Sequence, residues 1–293
     1  MTNKIALIGA GVMGQAIGTR LLETNNALCV FDRNPPKIDS LVAKGATGAA
    51  NPSAAAAEAD FVILSLNSAH AVDQIVFGEN GVTASAKAGT MIIDMSSIDP
   101  VSTKALAERA AASQLRWLDC PLSGGAPKAL LGTMAVMVGG SEADFEASKV
   151  VMNHLCANYT LMGPNGAGQT TKLINQVLCA LNFAAVAEAT QLALDAGVDA
   201  SKIPVALKGG RADSAILQEF MGKMAAKDYT PAGRIDNMVK DLNGVQDLAR
   251  STNTAMPLTS VCAEIHRLLT AAGLGPADNA ALMKFYEGPS AEN

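Results

Sequence analysis

A chain of 293 residues exceeds the usual size of one compact domain and predicts two, each with its own core and with a working cleft between them. Hydrophobic residues make up 49% of it but aromatics only 4%, so Ala, Leu, Val, Ile and Met must fill the interior. The net charge of -5 is spread without a basic block, which leaves a nucleic-acid backbone no strip of Lys and Arg to follow and excludes nucleic acid as an expected partner.

The first residues, Met1-Thr-Asn-Lys-Ile-Ala-Leu-Ile, enter a strand pattern at once, without the charged start, apolar core and cleavage site of a signal peptide, so a cytoplasmic location is expected. Cys29, Cys120, Cys156, Cys179 and Cys262 stand apart, most of them in apolar runs, and are expected to be reduced and structural. His70, His154 and His266 lack ligand spacing, so no metal site is expected.

From Lys4 to about Gly163, β-type runs alternate with helical ones: Ile5-Ala-Leu-Ile, Ala27-Leu-Cys-Val-Phe, Phe61-Val-Ile-Leu-Ser-Leu, Met91-Ile-Ile-Asp, Trp117-Leu-Asp, Thr133-Met-Ala-Val-Met-Val and Asn158-Tyr-Thr-Leu-Met. The alternation predicts an α/β fold, a Rossmann-type doubly wound parallel sheet with helices on both faces. After Gly166 only helical periodicity remains, broken at Gly197, Pro204, Gly209-Gly210, Pro231 and Pro257. A dinucleotide-binding domain is therefore expected over 1–164 and an all-α substrate and oligomerisation domain over 165–293.

The first helix of the second domain, from about Gly168 to Ala196, would be roughly 42 Å long at 1.5 Å per residue, enough to span two subunits, so a homo-oligomer (dimer or tetramer) is expected. Its apolar stretch from Leu173 to Leu194 is interrupted by Asn175, Gln176, Asn182, Glu188 and Gln191, several of them costly in lipid. It reads as a core helix and not a membrane span. Residues 288–293 are expected to fray.

Gly9-Ala-Gly11-Val12-Met13-Gly14 follows the first strand and opens a helix, where glycines can form a tight turn, admit a pyrophosphate and let strand and helix pack. The helix N-terminus then offers free N–H groups and its dipole. Asp32 ends the second strand, where a carboxylate meets the adenosine ribose hydroxyls, and Leu66 and Asn67 at the end of the third complete the expected cofactor residues. Asp32 points to NAD. Arg33 beside it could stack on adenine or accept a 2′-phosphate, which keeps NADP open, but Asp32 repels that phosphate.

The segment Asn165-Gly166-Ala-Gly168-Gln-Thr-Thr-Lys172-Leu-Ile-Asn175-Gln176 opens the long helix, and the i, i+3, i+4 spacing puts Lys172, Asn175 and Gln176 on one face. A lysine in the first turns of a helix is more often a solvated surface charge. The surrounding motifs reverse that reading.

Four segments together carry a specific resemblance that runs from Lys4 to about Glu287: Gly9 to Gly14 with Met13; Asp119-Cys-Pro-Leu-Ser123-Gly124-Gly125; Gly168 to Gln176; and Met238-Val-Lys240-Asp241-Leu242. With them the chain resembles the 3-hydroxyacid dehydrogenase family, which includes 3-hydroxyisobutyrate dehydrogenase, tartronate semialdehyde reductase and L-threonate dehydrogenase. The resemblance implies that Lys172 is the catalytic lysine, that Ser123, Gly124 and Gly125 form the substrate-carboxylate loop, and that Asn175 and Gln176 orient the substrate. It also implies that Lys240 with Asp241 lies near the nicotinamide ribose and that Ser97 stands where the family usually has a threonine beside the cofactor.

Chemistry asks independently for such a set, because oxidising an alcohol needs a base on its hydroxyl while hydride leaves the same carbon. With an unperturbed pKa near 10.4, only about one lysine in 2,500 is neutral at pH 7, so the site must lower that value or run mainly as a reductase. Lys128 departs from the glycine common in the family and could meet a second acidic or polar group on the substrate; Arg211, in an unusual Gly209-Gly-Arg-Ala-Asp213 segment, is a further substrate candidate. Both also read as solvated charges. The expected function is hydride transfer between a nicotinamide cofactor and the 3-carbon of a small 3-hydroxy acid, with threonate-like and hydroxy-amino-acid substrates the nearest branches. The alternative is an aldehyde-acid reductase acting on 2-hydroxy-3-oxopropionate, that is, tartronate semialdehyde. A non-catalytic NAD-binding protein is expected to lack Lys172, and the imine reductases of this fold usually replace it.

Overall fold

The computed structural model describes residues 3–287; the expected fraying of 288–293 lies outside them. The chain divides into two compact units, Met1–Lys172 and Leu173–Asn293.

The first unit is built on nine strands: β1 (Lys4–Ile8), β2 (Ala27–Phe31), β3 (Thr47–Gly48), β4 (Phe61–Leu64), β5 (Met91–Asp94), β6 (Arg116–Asp119), β7 (Leu122–Ser123), β8 (Met134–Gly139) and β9 (Cys156–Gly163). They form one sheet in the order β3-β2-β1-β4-β5-β6-β8-β7, with β9 beside β8. From β3 to β6 every pairing is parallel. The central strands are continuous apolar runs because both faces are covered: Ile5 and Leu7 join one core with Ile17 and Leu21, while Ala6 and Ile8 join the other with Val72, Val76 and Leu106. Leu7, Ile8, Ile63 and Ile92 are fully buried, and truncating any of them to Ala would cost roughly 2–5 kcal/mol.

The parallel sheet expected from the sequence is present, with an antiparallel addition at one edge. β8 runs antiparallel to β6 and β7, and β9 runs parallel to β8. The chain between Ser123 and Met134 is shorter than the dozen or more residues a parallel crossover needs, so it turns back on itself through the short helix Gly125–Leu131.

The helix Ala167–Asp195 carries the chain from the first unit into the second. By length and composition it could cross a membrane, but Ala180, Phe183, Val186 and Ala187 are buried with Leu217, Met221, Leu242 and Cys262 from the helices Ala215–Ala225, Ile235–Thr252 and Pro257–Leu269. This part of the helix is built into the core of the second unit. In the same unit Asp278 accepts the N–H groups of Ala232 at 2.8 Å and Gly233 at 2.9 Å, which fixes the entry to the helix Ile235–Thr252.

Candidate active site

The three glycines of the first turn divide the labour that a dinucleotide requires. Gly9 has φ +100°, and a Cβ there would lie 2.3 Å from the Ser65 carbonyl oxygen. A Cβ on Gly14 would lie 1.9 Å from the Gly9 carbonyl oxygen, so only glycine lets helix and strand approach this closely. Around Gly11 a Cβ would meet nothing within 4 Å, which leaves an open approach to the helix Val12–Glu23. Gly11 caps that helix without a side-chain hydrogen bond, so its first N–H groups are not taken by a cap, and Val12 is 80% exposed with Met13 packed behind it. These residues fit a dinucleotide pyrophosphate.

Asp32 follows β2 with its carboxylate held from both sides. Oδ2 accepts the Ala10 N–H at 2.8 Å and Oδ1 accepts the Asn34 N–H at 2.9 Å. The carboxylate thus fastens the glycine turn to the end of β2, in the place expected for a ribose contact, with Arg33 exposed beside it. Leu66 and Asn67 follow β4; the Leu66 N–H donates to the Ser96 hydroxyl at 3.0 Å, and Asn67 is exposed.

Ser97 sits in the loop after β5, and its two neighbours are gripped by a residue that the sequence did not single out. Gln169 is 1% exposed; its Nε2 donates to the Ser96 carbonyl at 2.7 Å and its Oε1 accepts the Ile98 N–H at 3.3 Å. Gln169 is itself seated on β6: the Asp119 carboxylate accepts the Gly166 N–H at 2.8 Å and the Gln169 N–H at 3.1 Å. Asn165 adds a hydrogen bond to the Trp117 carbonyl at 3.0 Å. Gly168 permits this seat, since a Cβ there would lie 2.6 Å from the Asp119 and Met137 carbonyl oxygens. Lys172 therefore begins one turn beyond a helix start that is tied to both β6 and the Ser97 loop. Burial raises the Asp119 carboxyl above its ordinary range, opposed by the N–H groups of Gly166 and Gln169.

Ser123 ends β7, and Gly124 and Gly125 both have positive φ, 111° and 65°. The stem of the exposed Lys128 crosses Gly124, its Cγ 2.7 Å from where a Cβ would stand, so only glycine leaves room for the lysine to lie along the loop.

In the second unit Gln176, 9% exposed, donates through Nε2 to Asp241 Oδ2 at 2.6 Å and accepts the Asn175 Nδ2–H at 2.9 Å. Lys240 lies 3.3 Å from the other Asp241 oxygen. Arg211 is exposed in a turn closed by Asp213, which accepts the Gly209 N–H at 2.7 Å. Of the histidines, His266 is buried, bonded through Nδ1 to the Cys262 carbonyl, and kept below its ordinary pKa by burial.

The signal for the missed residues is visible in retrospect. Asp94 ends an otherwise apolar buried strand and Asp119 follows the buried Trp117 and Leu118, places where a carboxylate needs a structural or chemical reason.

Comparison with known proteins extends these observations over nearly the whole chain. Residues 4–163 match the model of the NAD binding domain of 6-phosphogluconate dehydrogenase, and residues 166–286 match that of the NAD-binding domain of NADP-dependent 3-hydroxyisobutyrate dehydrogenase. The chain is 36% identical to 2-hydroxy-3-oxopropionate reductase of Escherichia coli, over 97% of each chain. It is 34% identical to L-threonate dehydrogenase of Pectobacterium atrosepticum, over 97% of this chain and 94% of that one. A crystal structure of 3-hydroxyisobutyrate dehydrogenase from Salmonella typhimurium superposes with a TM-score of 0.86 at 32% identity, covering 96% of this chain and 99% of that one.

Proposed function

From a chain that belongs to the 3-hydroxyacid dehydrogenase family of NAD(P)-dependent oxidoreductases, we propose a specific division of labour in which Lys172 moves the proton of the substrate's 3-hydroxyl. The observation that carries it is the seat of Lys172: the first turn of its helix is clamped by Asp119, and Gln169 from that turn grips both neighbours of Ser97. One rigid element thus links the proton-transfer residue to the loop expected beside the cofactor.

In oxidation Lys172 takes the hydroxyl proton; in reduction it returns a proton to the forming alkoxide. The nicotinamide ring, when bound, accepts or supplies the hydride. Gly9, Gly11, Val12, Met13 and Gly14 hold its pyrophosphate, Asp32 and Arg33 its adenosine end, and Leu66, Asn67, Ser97 and Lys240 the remainder, with NAD preferred. Ser123, Gly124 and Gly125 receive the substrate carboxylate, and Asn175 orients the alcohol. Lys128 and Arg211 bind a further polar or acidic group. The substrate is a small 3-hydroxy acid with a polar substituent on its 2-carbon, as threonate and serine have. The reductive direction on 2-hydroxy-3-oxopropionate is a second reading, favoured by the relative at 36% identity.

Ile174, Leu178 and Leu192 are exposed along the long helix at spacings of four and fourteen residues, and we assign this stripe to the contact in a dimer or tetramer. The test of function is a spectrophotometric screen of 3-hydroxyisobutyrate, glycerate, threonate and serine with NAD and with NADP, run in both directions. Turnover of at least one acid with NAD, abolished in Lys172→Ala, is expected. Absence of turnover with every pair would overturn the reading.

A further inference from the structure

Gln176 lies between Asp241 and Asn175, with its Nε2 also 4.0 Å from the Met238 sulfur, and the chemistry of Asp241 and Asn175 fixes which way its amide points. Asp241 is ion-paired with Lys240 and has only acceptors to offer. Gln176 must therefore turn Nε2 toward it, at 2.6 Å, which sends Oε1 to the other side, where it accepts the Asn175 Nδ2–H at 2.9 Å. The Asn175 Nδ2 group also stands 3.5 Å from the Cys179 sulfur, a second weak acceptor on the same side. With Nδ2 held on that side, the carbonyl Oδ1 is the opposite end of the Asn175 amide.

We propose that Asp241 and Gln176 are positioning residues that set the direction of the Asn175 amide, so that Asn175 offers an acceptor and not a donor on the helix face it shares with Lys172. An isolated carboxamide can flip, since its oxygen and nitrogen ends have nearly the same shape. Here a flip of Gln176 would put an oxygen against the Asp241 carboxylate and break a charge-assisted bond, about twice as strong as a neutral one. A flip of Asn175 would set its oxygen against Gln176 Oε1. The two amides can reverse only together, and Asp241 forbids the reversed state. The relay is largely shielded, with Gln176 9% and the Asp241 side chain 15% exposed, so water does not readily replace its bonds.

The role rests on the dehydrogenase reading, because an acceptor beside the proton-transfer residue suits an O–H or N–H donor: the substrate's hydroxyl in oxidation, the ammonium form of the lysine in reduction. A donor there would compete for the oxygen from which the proton must leave.

Three variants of the full chain test the direction of the relay: Asp241→Asn, Gln176→Glu and the two combined. Asp241→Asn offers both a donor and an acceptor and removes the constraint. Gln176→Glu sets two carboxylates face to face. In the double variant the new amide at position 241 donates to the new carboxylate at position 176, whose other oxygen still accepts from Asn175, so the direction is restored with the charge moved by one link. Each single variant is expected to lose tenfold or more in kcat at saturating NAD, Gln176→Glu with a lowered Tm as well, and the double variant to recover its Tm and to return to within about threefold of the wild-type kcat. A double variant no faster than the slower single one, or full kcat in Asp241→Asn, would overturn the proposal.

A readout without turnover separates this from failure of the dehydrogenase reading. In protein labelled with ¹⁵N-asparagine, the Asn175 side-chain NH₂ signals should shift and lose exchange protection in Asp241→Asn and return in the double variant. Unchanged signals in Asp241→Asn overturn the relay whether or not any hydroxy acid is turned over.

Discussion

Asp94 and Asp119 stand opposite one another in register at the ends of the adjacent parallel strands β5 and β6, both fully buried. Asp119 is satisfied by the Gly166 and Gln169 N–H groups, whereas Asp94 accepts the Ser96 N–H through Oδ1 and its Oδ2 has no hydrogen-bond partner among the described residues. Burial, opposed in part by Ser96 and reinforced by the charge of Asp119, pushes the Asp94 carboxyl up to about 7.

A folded-state pKa above the unfolded value means that the folded chain holds the Asp94 proton more tightly than the unfolded chain does. The cost of ionising Asp94 is absent below about pH 4, grows as pH rises toward 7 and is constant above, reaching on the order of 4 kcal/mol. Asp94→Asn removes it while keeping an acceptor for Ser96. The difference in Tm between variant and wild type should therefore be small at pH 4, grow through pH 5 and 6, and favour the variant by several degrees at pH 8. A difference that does not change with pH would show that Asp94 titrates normally.

The glycine turn separates two kinds of damage. A Cβ on Gly14 would stand 1.9 Å from a carbonyl oxygen of the same turn, so Gly14→Ala must displace backbone, and a loss of more than about 3 kcal/mol of stability is expected. A Cβ on Gly11 meets nothing within 4 Å, so Gly11→Ala should keep the wild-type Tm and instead obstruct the pyrophosphate, weakening NAD by tenfold or more. Denaturation and cofactor titration of both variants check this. Equal Tm losses, or unchanged NAD affinity in Gly11→Ala, would remove the phosphate from this turn.

If Asp32 meets the adenosine ribose as proposed, a preference for NAD over NADP of at least several-fold is expected. Asp32→Ser removes the repulsion toward a 2′-phosphate while Arg33 stays, so the ratio should narrow or reverse. Because the carboxylate also accepts the Ala10 and Asn34 N–H groups, the shorter serine cannot hold both, and the narrowing should come with weaker NAD binding as well as stronger NADP binding. A wild-type chain that binds NADP tightly and NAD barely would reverse the assignment.

What the sequence made legible was local. Gly9 to Gly14, Asp32, and the spacing of Lys172, Asn175 and Gln176 are short-range patterns in which a strand end or a helix period places the side chain. The two-residue strands β3 and β7 carry too little periodicity to be seen, and the antiparallel turn at β8 depends on connection length rather than on residue type. Long-range partnerships were hidden for another reason. Asp119 meets Gln169 across 50 positions and Gln176 meets Asp241 across 65, and no local preference of either residue encodes its partner. Gln176, read as a substrate-orienting amide, proves to have its amide engaged by Asp241 and Asn175, which motivates its reading as a relay.

In the proposed mechanism the chemistry depends most on Lys172. Alanine is a good helix former, and the start of the helix is held by Asp119, Gly166 and Gln169, so Lys172→Ala should fold with NAD affinity little changed. Its kcat should fall by about 10²–10⁴-fold, the usual range for loss of a general acid or base. Lys172→Arg should fail as well, since a guanidinium keeps its charge but does not surrender its proton, which separates proton transfer from charge alone. In the wild type the oxidative rate should rise with pH as Lys172 loses its proton, and that rise should vanish in both variants. Retention of more than about a tenth of wild-type turnover by Lys172→Ala, with the correct substrate at saturating NAD, would mean that another group moves the proton, even with the cofactor domain correctly assigned.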